Sequence, residues 1–341
     1  MTALQGGTRV QQLWFTAPFQ LEVREASLPA PGAGELRVKT LFSAVSAGTE
    51  LLFYRGQIPA TMSLDSTLET LRQQAQYPAQ FGYACVGEVQ QVGSGVDPNW
   101  AGRRVFSFQA HASQFLARPE QLIALPDDVS ARAAVFLPNM ETAVNLVHDG
   151  RPLLGERAVV VGQGVVGLLL SSVLALHPLA SLTAVEGDPG RQALARRLGV
   201  QTVCSPTEAE QRRSSLGNAD LIYEVSGHPQ ALDLAVGLSG YTSRIVIGSW
   251  YGNKPVAVDL GGEAHRNRLS FITSQVSTLS PALSGRWDKA RRFDLAWEMI
   301  RRTDPTQLIT HSTSLENAHA LYDDLDQQRP GIVQAIFHYP D

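Results

Sequence analysis

Gly162, Gly164 and Gly167 follow the apolar run Ala158–Val161 in the spacing G-x-G-x-x-G, and Leu168–Leu176 continues directly as an apolar stretch. A buried strand, a glycine turn and a helix in that order can seat a pyrophosphate. The first glycine permits the tight turn, the second lets phosphates approach the backbone, and the third lets helix pack on strand. At the helix start, Val165 and Val166 would offer unpaired N–H groups and positive partial charge to the anion.

That spacing alone is a weak signal, and the elements around it strengthen it. A second strand over 180–185 ends at Glu186, about twenty residues past the turn, where a dinucleotide fold places the acid that takes the ribose hydroxyls. Asp188-Pro189 then reads as a helix cap followed by proline at the first helical position. Further strands over 219–225 and 243–248 complete the pattern of a Rossmann dinucleotide-binding domain. Glu186 would repel a 2′-phosphate, which favours NAD over NADP. Arg191 lies close in sequence and could soften that preference, so NADP stays open.

The chain's 341 residues suit two domains better than one core. Its 44% hydrophobic and 18% charged content are ordinary for a globular protein, and a formal net charge of −4 gives no reason to expect nucleic acid or an anionic membrane as partner. Met1–Val10 lacks a basic region followed by an apolar core, and Leu168–Leu176 is too short to span a bilayer. Cys85 and Cys204 read as buried free thiols in a reducing compartment, and the expectation is a cytoplasmic protein.

Residues 8–130 read as mostly β, with short strands at 20–25, 34–42, 84–92 and 103–108 between glycine, proline and aspartate turns. The polar, Gln-rich stretch 61–80 reads as a surface helix or loop. Helices are expected over 131–136, 141–147, 287–301 and 315–328, with short strands at 308–310 and 332–337. The last strand comes after the dinucleotide fold is complete, so it should return to the first domain. The expected boundaries are 1–138, a dinucleotide domain over 139–275, and a return segment over 276–341. An edge strand near 250–258 makes a homodimer the expected assembly.

This layout resembles the medium-chain dehydrogenase/reductase superfamily, which includes the alcohol dehydrogenases. The supporting stretches are Gly82-Tyr-Ala-Cys-Val-Gly-Glu-Val-Gln-Gln-Val-Gly-Ser-Gly-Val96, Gly102-Arg-Arg-Val-Phe106 and Leu153–Gly167. A narrower likeness, carried by Ser46-Ala-Gly-Thr-Glu50, Asn139-Met-Glu-Thr-Ala143, Gly248-Ser-Trp-Tyr-Gly252 and His265-Arg-Asn-Arg268, is to a branch that includes bacteriochlorophyllide a dehydrogenase. The resemblance implies an α/β protein: a Rossmann domain plus a discontinuous, mostly β, GroES-like catalytic domain. It also implies that backbone groups at Val225, Gly248 and Ser249 help hold the dinucleotide.

Where zinc-dependent members carry a catalytic cysteine before a Ser/Thr-Asp/Glu pair, this chain has Ser46, Ala47 and Gly48 before Thr49-Glu50. The zinc-binding Gly-His-Glu becomes Gly82-Tyr83-Ala84, Leu137–Glu141 offers no cysteine, and the four-cysteine structural loop is missing. A catalytic zinc wants about three Cys, His or carboxylate ligands. The expectation is therefore no metal, with the substrate oxygen held by hydrogen-bond donors.

By this resemblance Thr49 matches the hydroxyl that touches the substrate oxygen, and Tyr83 projects into the cleft in place of the zinc histidine. Plainer readings are a strand-end threonine and a core aromatic. Glu50 orients a neighbour, acts as a proton relay or is half of a salt bridge. Thr142 matches a position beside the nicotinamide, and Asn139 is a further polar group there. Glu141 is either a general base or a buried carboxylate paired with an arginine. Trp250, His265 and Arg266 are candidates on the substrate side. With Arg268 the latter two could hold an anionic substrate or cofactor phosphates, or simply begin a solvated helix. His111 reads as a satisfied histidine at the domain interface, with a site role as the alternative.

The expected activity is zinc-independent hydride transfer between nicotinamide C4 and a secondary alcohol/ketone couple. The alternatives are NADPH-dependent quinone or enoyl reduction, and a dinucleotide-binding sensor without turnover.

Overall fold

In a computed structural model, residues 7–59, 61 and 74–340 are described. The helix or loop expected over 61–80 therefore lies, for 62–73, outside the described residues. The chain divides into two units, one made of 1–138 with 309–341 and the other of 139–308.

The first unit opens with a hairpin of β1 (Thr8–Ala17) and β2 (Gln20–Leu28), which buries Leu13 and Phe15. The expected strands do not include β1, because Gln11-Gln12 interrupts its alternation. Then come β3 (Leu36–Ala44), α1 (Glu50–Tyr54), β4 (Cys85–Val92), β5 (Arg104–Ser107), β6 (Gln114–Ala117), β7 (Ile123–Ala124) and α2 (Ala131–Ala134). Ser130 caps α2 by accepting from Ala133 N at 3.1 Å.

The second unit takes over in the first turn of α3 (Leu137–Gly150). It continues with β8 (Arg157–Val161), α4 (Val165–Ala175), β9 (Ser181–Val185), α5 (Pro189–Arg197), β10 (Thr202–Cys204), α6 (Pro206–Gln211) and α7 (Arg213–Leu216). Then follow β11 (Ala219–Glu224), α8 (Ala231–Leu238), β12 (Ser239–Ile247), α9 (Glu263–Arg266), β13 (Ser270–Thr273) and α10 (Lys289–Thr303). Its six strands are all parallel, in the order β10-β9-β8-β11-β12-β13. Val159–Val161 are buried, as a parallel strand covered on both faces demands. The strand order reverses between β8 and β11, and such a switch point opens a crevice at the strands' carboxyl ends.

The chain then returns with β14 (Ile309–Thr313), α11 (Ala318–Asp326) and β15 (Gln334–His338). β15 pairs antiparallel with β3, placing Ile336 opposite Ala44, in a seven-stranded sheet. Phe15, Phe53, Phe81, Tyr322 and Phe337 share the core beneath it.

Two expectations need correction. The return to the first unit begins at Ile309 and not at 276, because α10 buries Ala296, Trp297 and Ile300 and packs on α4 within the second unit. The edges of the parallel sheet are β10 and β13, while 250–258 forms no strand.

Candidate active site

In the second unit the glycine turn closes as its spacing demands. Gly162 has φ +96°, and a Cβ there would lie 2.5 Å from Ser226 Cα. A Cβ on Gly167 would sit 2.0 Å from the Gly162 carbonyl oxygen, so helix and strand meet only through glycine. Gly164 differs: its Cβ would meet nothing within 4 Å, and it caps α4 without any side chain. The first N–H groups of α4, at Val165 and Val166, have no partner within the helix, and the space beside Gly164 is open. Glu186 borders this cradle, with Oε2 accepting from Gln163 N at 2.7 Å and Oε1 from Asp188 N at 2.9 Å. Both bonds aim the carboxylate and leave it lone pairs for two ribose hydroxyls. Arg191 N is bound by Asp188 Oδ1 at 2.8 Å in the first turn of α5. These residues fit the pyrophosphate and adenosine ribose of a dinucleotide.

Across the switch point, Val225 and Ser226 follow β11, and Gly248, Ser249 and Trp250 follow β12. Ser249 Oγ accepts from Gly227 N at 2.8 Å, while Gly248 N and Ser249 N both donate to the Glu224 carbonyl. A Cβ on Gly248 would lie 2.7 Å from Leu146 Cδ2 and 2.9 Å from Val225 Cγ1. Trp250 is exposed.

Glu141 is a correction. It is one half of a buried ion pair: Arg292 Nε and Nη2 donate to its Oε1 at 2.9 and 2.7 Å. A carboxylate held by a buried guanidinium is a poor proton acceptor, so the general-base role falls to its alternative. Thr142 and Asn139, half-buried, flank it on α3. His265 and Arg266 are a second correction as cofactor-phosphate ligands. They are exposed on α9, which leads into the N-terminal end of β13, where Thr242 N bonds the Asn267 carbonyl at 2.7 Å. The glycine turn lies at the opposite, carboxyl end of the parallel strands, after the central strand β8.

His148 on α3 packs against Trp287, ring centroids 4.4 Å apart and planes tilted by 60°, and its Nδ1 is buried without a partner. Burial, then the Arg292 charge, push the imidazole below its ordinary value of 6.5. As pH falls through 6.5 the unfolded chain takes a proton that the folded chain refuses, so stability should fall. Denaturant unfolding at pH 7.5 and 5.5 should show this loss, and His148→Gln should flatten it; an unchanged slope would refute the assignment.

In the first unit the predicted residues gather around Glu50. Its carboxylate is fully buried, Oε1 accepting from Ser46 N at 2.8 Å and Oε2 from His111 Nε2 at 3.0 Å and from the Tyr322 hydroxyl. His111 Nδ1 bonds Ser43 Oγ at 2.7 Å, and Ser43 Oγ meets the Tyr339 hydroxyl at 2.8 Å. Burial, then the Glu50 charge, raise the Tyr322 hydroxyl well above its usual range, so it stays a donor. A Cβ on Gly82, φ +124°, would lie 2.9 Å from the His111 ring, which is why a glycine precedes Tyr83. Tyr83, half-buried, donates to Ser46 Oγ. Thr49 begins α1 without a side-chain capping bond.

Sequence reasoning missed Ser46, Tyr322, Glu224, Tyr251 and Arg292 as site-building residues. Only Glu224, a carboxyl closing the apolar run Leu221-Ile-Tyr, carried a local signal. No helix among the described residues is long and apolar enough to cross a membrane.

No family model matches the chain. It is similar to the galactitol 1-phosphate 5-dehydrogenase of Escherichia coli strain K12, 25% identical over 297 residues that cover 76% of this chain and 85% of the relative. The (R,R)-butanediol dehydrogenase of Bacillus subtilis strain 168 is likewise 25% identical, over 73% of this chain and 78% of that one. Among solved structures, an alcohol dehydrogenase of E. coli CFT073 complexed with NADH superposes with a TM-score of 0.79 at 19% identity, covering 98% of this chain and 100% of its own. With a glycine cradle and a ribose acid that fit a nicotinamide dinucleotide, the chain is an NAD(P)-dependent oxidoreductase similar to the medium-chain dehydrogenases.

Proposed function

We propose that the chain is a zinc-independent, NAD-preferring dehydrogenase of secondary alcohols. The observation that carries this reading is the Tyr83–Ser46 hydroxyl pair beside the Glu50 network. These residues occupy the sequence positions at which the resemblance implies zinc ligands. Their nearest approach to a metal site is Glu50 with His111, and both oxygens and both ring nitrogens there already have partners. That donor set does not fit zinc.

A bound nicotinamide dinucleotide supplies the hydride acceptor or donor. Tyr83 Oη donates its hydrogen bond to the substrate oxygen, with Ser46 Oγ as the group it exchanges with, and Thr49 Oγ1 is a second donor. Glu50 contributes by fixing Ser46 through its backbone. NAD is favoured because Glu186, oriented by two backbone N–H groups, would face the extra phosphate of NADP. The two relatives' named substrates, a hexitol phosphate and a vicinal diol, support a polyhydroxylated secondary alcohol.

Tyr83→Phe should lower kcat by about 10²–10⁴-fold, the usual worth of a positioned proton donor. Its NADH affinity should be unchanged. The test is steady-state kinetics on a panel of polyols, diols and their ketones, with NADH against NADPH and elemental analysis alongside. Stoichiometric zinc, or an unaltered kcat in the variant, would sink the reading. Turnover confined to enones with NADPH would replace it by quinone or enoyl reduction.

A further inference from the structure

Glu224 ends β11 with a carboxyl group that is fully buried. Oε1 accepts from Ser226 N at 2.8 Å and from Ser226 Oγ at 2.5 Å, and Oε2 accepts from the Tyr251 hydroxyl at 2.5 Å. Among the described residues no cation pairs with it; its partners are hydroxyl and backbone donors. A carboxyl taken out of water without a counter-charge is costly, and an apolar residue would end this strand at less expense. The fold of the strand therefore gives no reason for it. The loops it touches do.

Through Ser226 it holds the loop after β11, and through Tyr251 it holds the loop after β12. Its own carbonyl takes Gly248 N at 2.9 Å and Ser249 N at 3.2 Å, and Ser249 Oγ takes Gly227 N at 2.8 Å, so the two loops are also tied to each other. Ser226 is besides the wall of the phosphate turn, since the Gly162 Cβ position lies 2.5 Å from its Cα. A dinucleotide lies across the switch point between β8 and β11. Glu186, at the end of β9, stands on the adenosine side, which leaves the loops of β11 and β12 to the other half. Burial, then the bond to Glu224, hold the Tyr251 phenol protonated and donating.

We propose that Glu224 is a positioning residue for the nicotinamide half of the cofactor, acting through Ser226 and Tyr251 on the two loops that flank it. This rests on the dinucleotide reading of the cradle. It separates the two halves of the ligand: Glu186 and the glycine turn serve ADP-ribose, while Glu224 serves what ADP-ribose lacks.

The experiment is calorimetric titration of the whole chain with NADH and with ADP-ribose, for wild type, Glu224→Gln and Tyr251→Phe. Glu224→Gln should weaken NADH by about tenfold, the worth of one charge-assisted hydrogen bond. ADP-ribose binding should stay within about twofold of wild type. Tyr251→Phe, which removes a single hydroxyl from a half-buried ring, should shift NADH the same way but less, and it keeps the test open if Glu224→Gln does not fold. Kinetics on any turned-over alcohol should show kcat falling with the substrate KM unchanged. Equal losses for NADH and ADP-ribose would make Glu224 merely structural, and no loss for either would remove it from the site; both overturn the proposal. Wild type that binds neither NADH nor NADPH would instead overturn the dinucleotide reading itself.

Discussion

Arg292→Met is expected to destabilise the chain by about 3–5 kcal/mol, the usual cost of breaking a buried ion pair from one side. Arg292 is fully buried, and five acceptor contacts match its five N–H groups. Nε and Nη2 meet Glu141 Oε1, Nη2 meets the Val276 carbonyl at 2.5 Å, and Nη1 meets Asn145 Oδ1 at 2.7 Å and the Thr278 carbonyl at 3.1 Å. Methionine fills the stem's volume but strands a buried carboxylate, the buried Asn145 amide oxygen and two part-buried carbonyls. Lysine should rescue little, because one ammonium cannot reach four acceptors arranged around a planar fork. Adding Glu141→Gln to Arg292→Met should recover part of the loss, since no unpaired charge then remains. Denaturant unfolding of the three variants measures this. A loss under about 1 kcal/mol for Arg292→Met would mean the pair is solvated, and would return Glu141 to consideration as a base.

The second large effect separates the three glycines of the turn. Gly164→Ala should leave stability within about 0.5 kcal/mol, because its φ of −66° suits alanine and its methyl group meets nothing. It should nevertheless weaken NADH by about tenfold or more, since that methyl occupies the space through which phosphates reach the helix N-terminus. Gly162→Ala and Gly167→Ala should do the reverse in order of cause. The first forces a side chain to φ +96° against the Ser226 backbone, and the second drives a methyl group to 2.0 Å from a carbonyl oxygen. Each should cost about 2–4 kcal/mol of stability from strain and overpacking, and cofactor affinity should follow the distorted turn. Thermal unfolding and NADH titration on the three variants are the measurement. A destabilised Gly164→Ala with normal affinity would remove the phosphate from this helix.

These contrasts mark how far the amino-acid sequence reaches. The glycine turn, the Glu186 end of β9 and the Asp188-Pro189 helix start were legible because each depends on backbone conformation and apolar spacing over a few residues. The strand order of the sheet was not, because it depends on pairings between distant segments. Gly82 and Tyr83 were legible as positions, but the reason for the glycine was not, since the His111 ring that presses on it arrives from another strand connection.

The partners of the charged residues were decided by tertiary structure alone. Glu50 meets Tyr322 across 272 residues and Glu141 meets Arg292 across 151. No local pattern encodes which donor a buried carboxylate finds after the chain has crossed the fold twice. The same two acids that read equally as proton carriers or as salt-bridge halves were sorted by burial. Once water is excluded, a carboxylate must take whatever donors the packing brings, and those donors determine whether it can move a proton or only hold its neighbours in place.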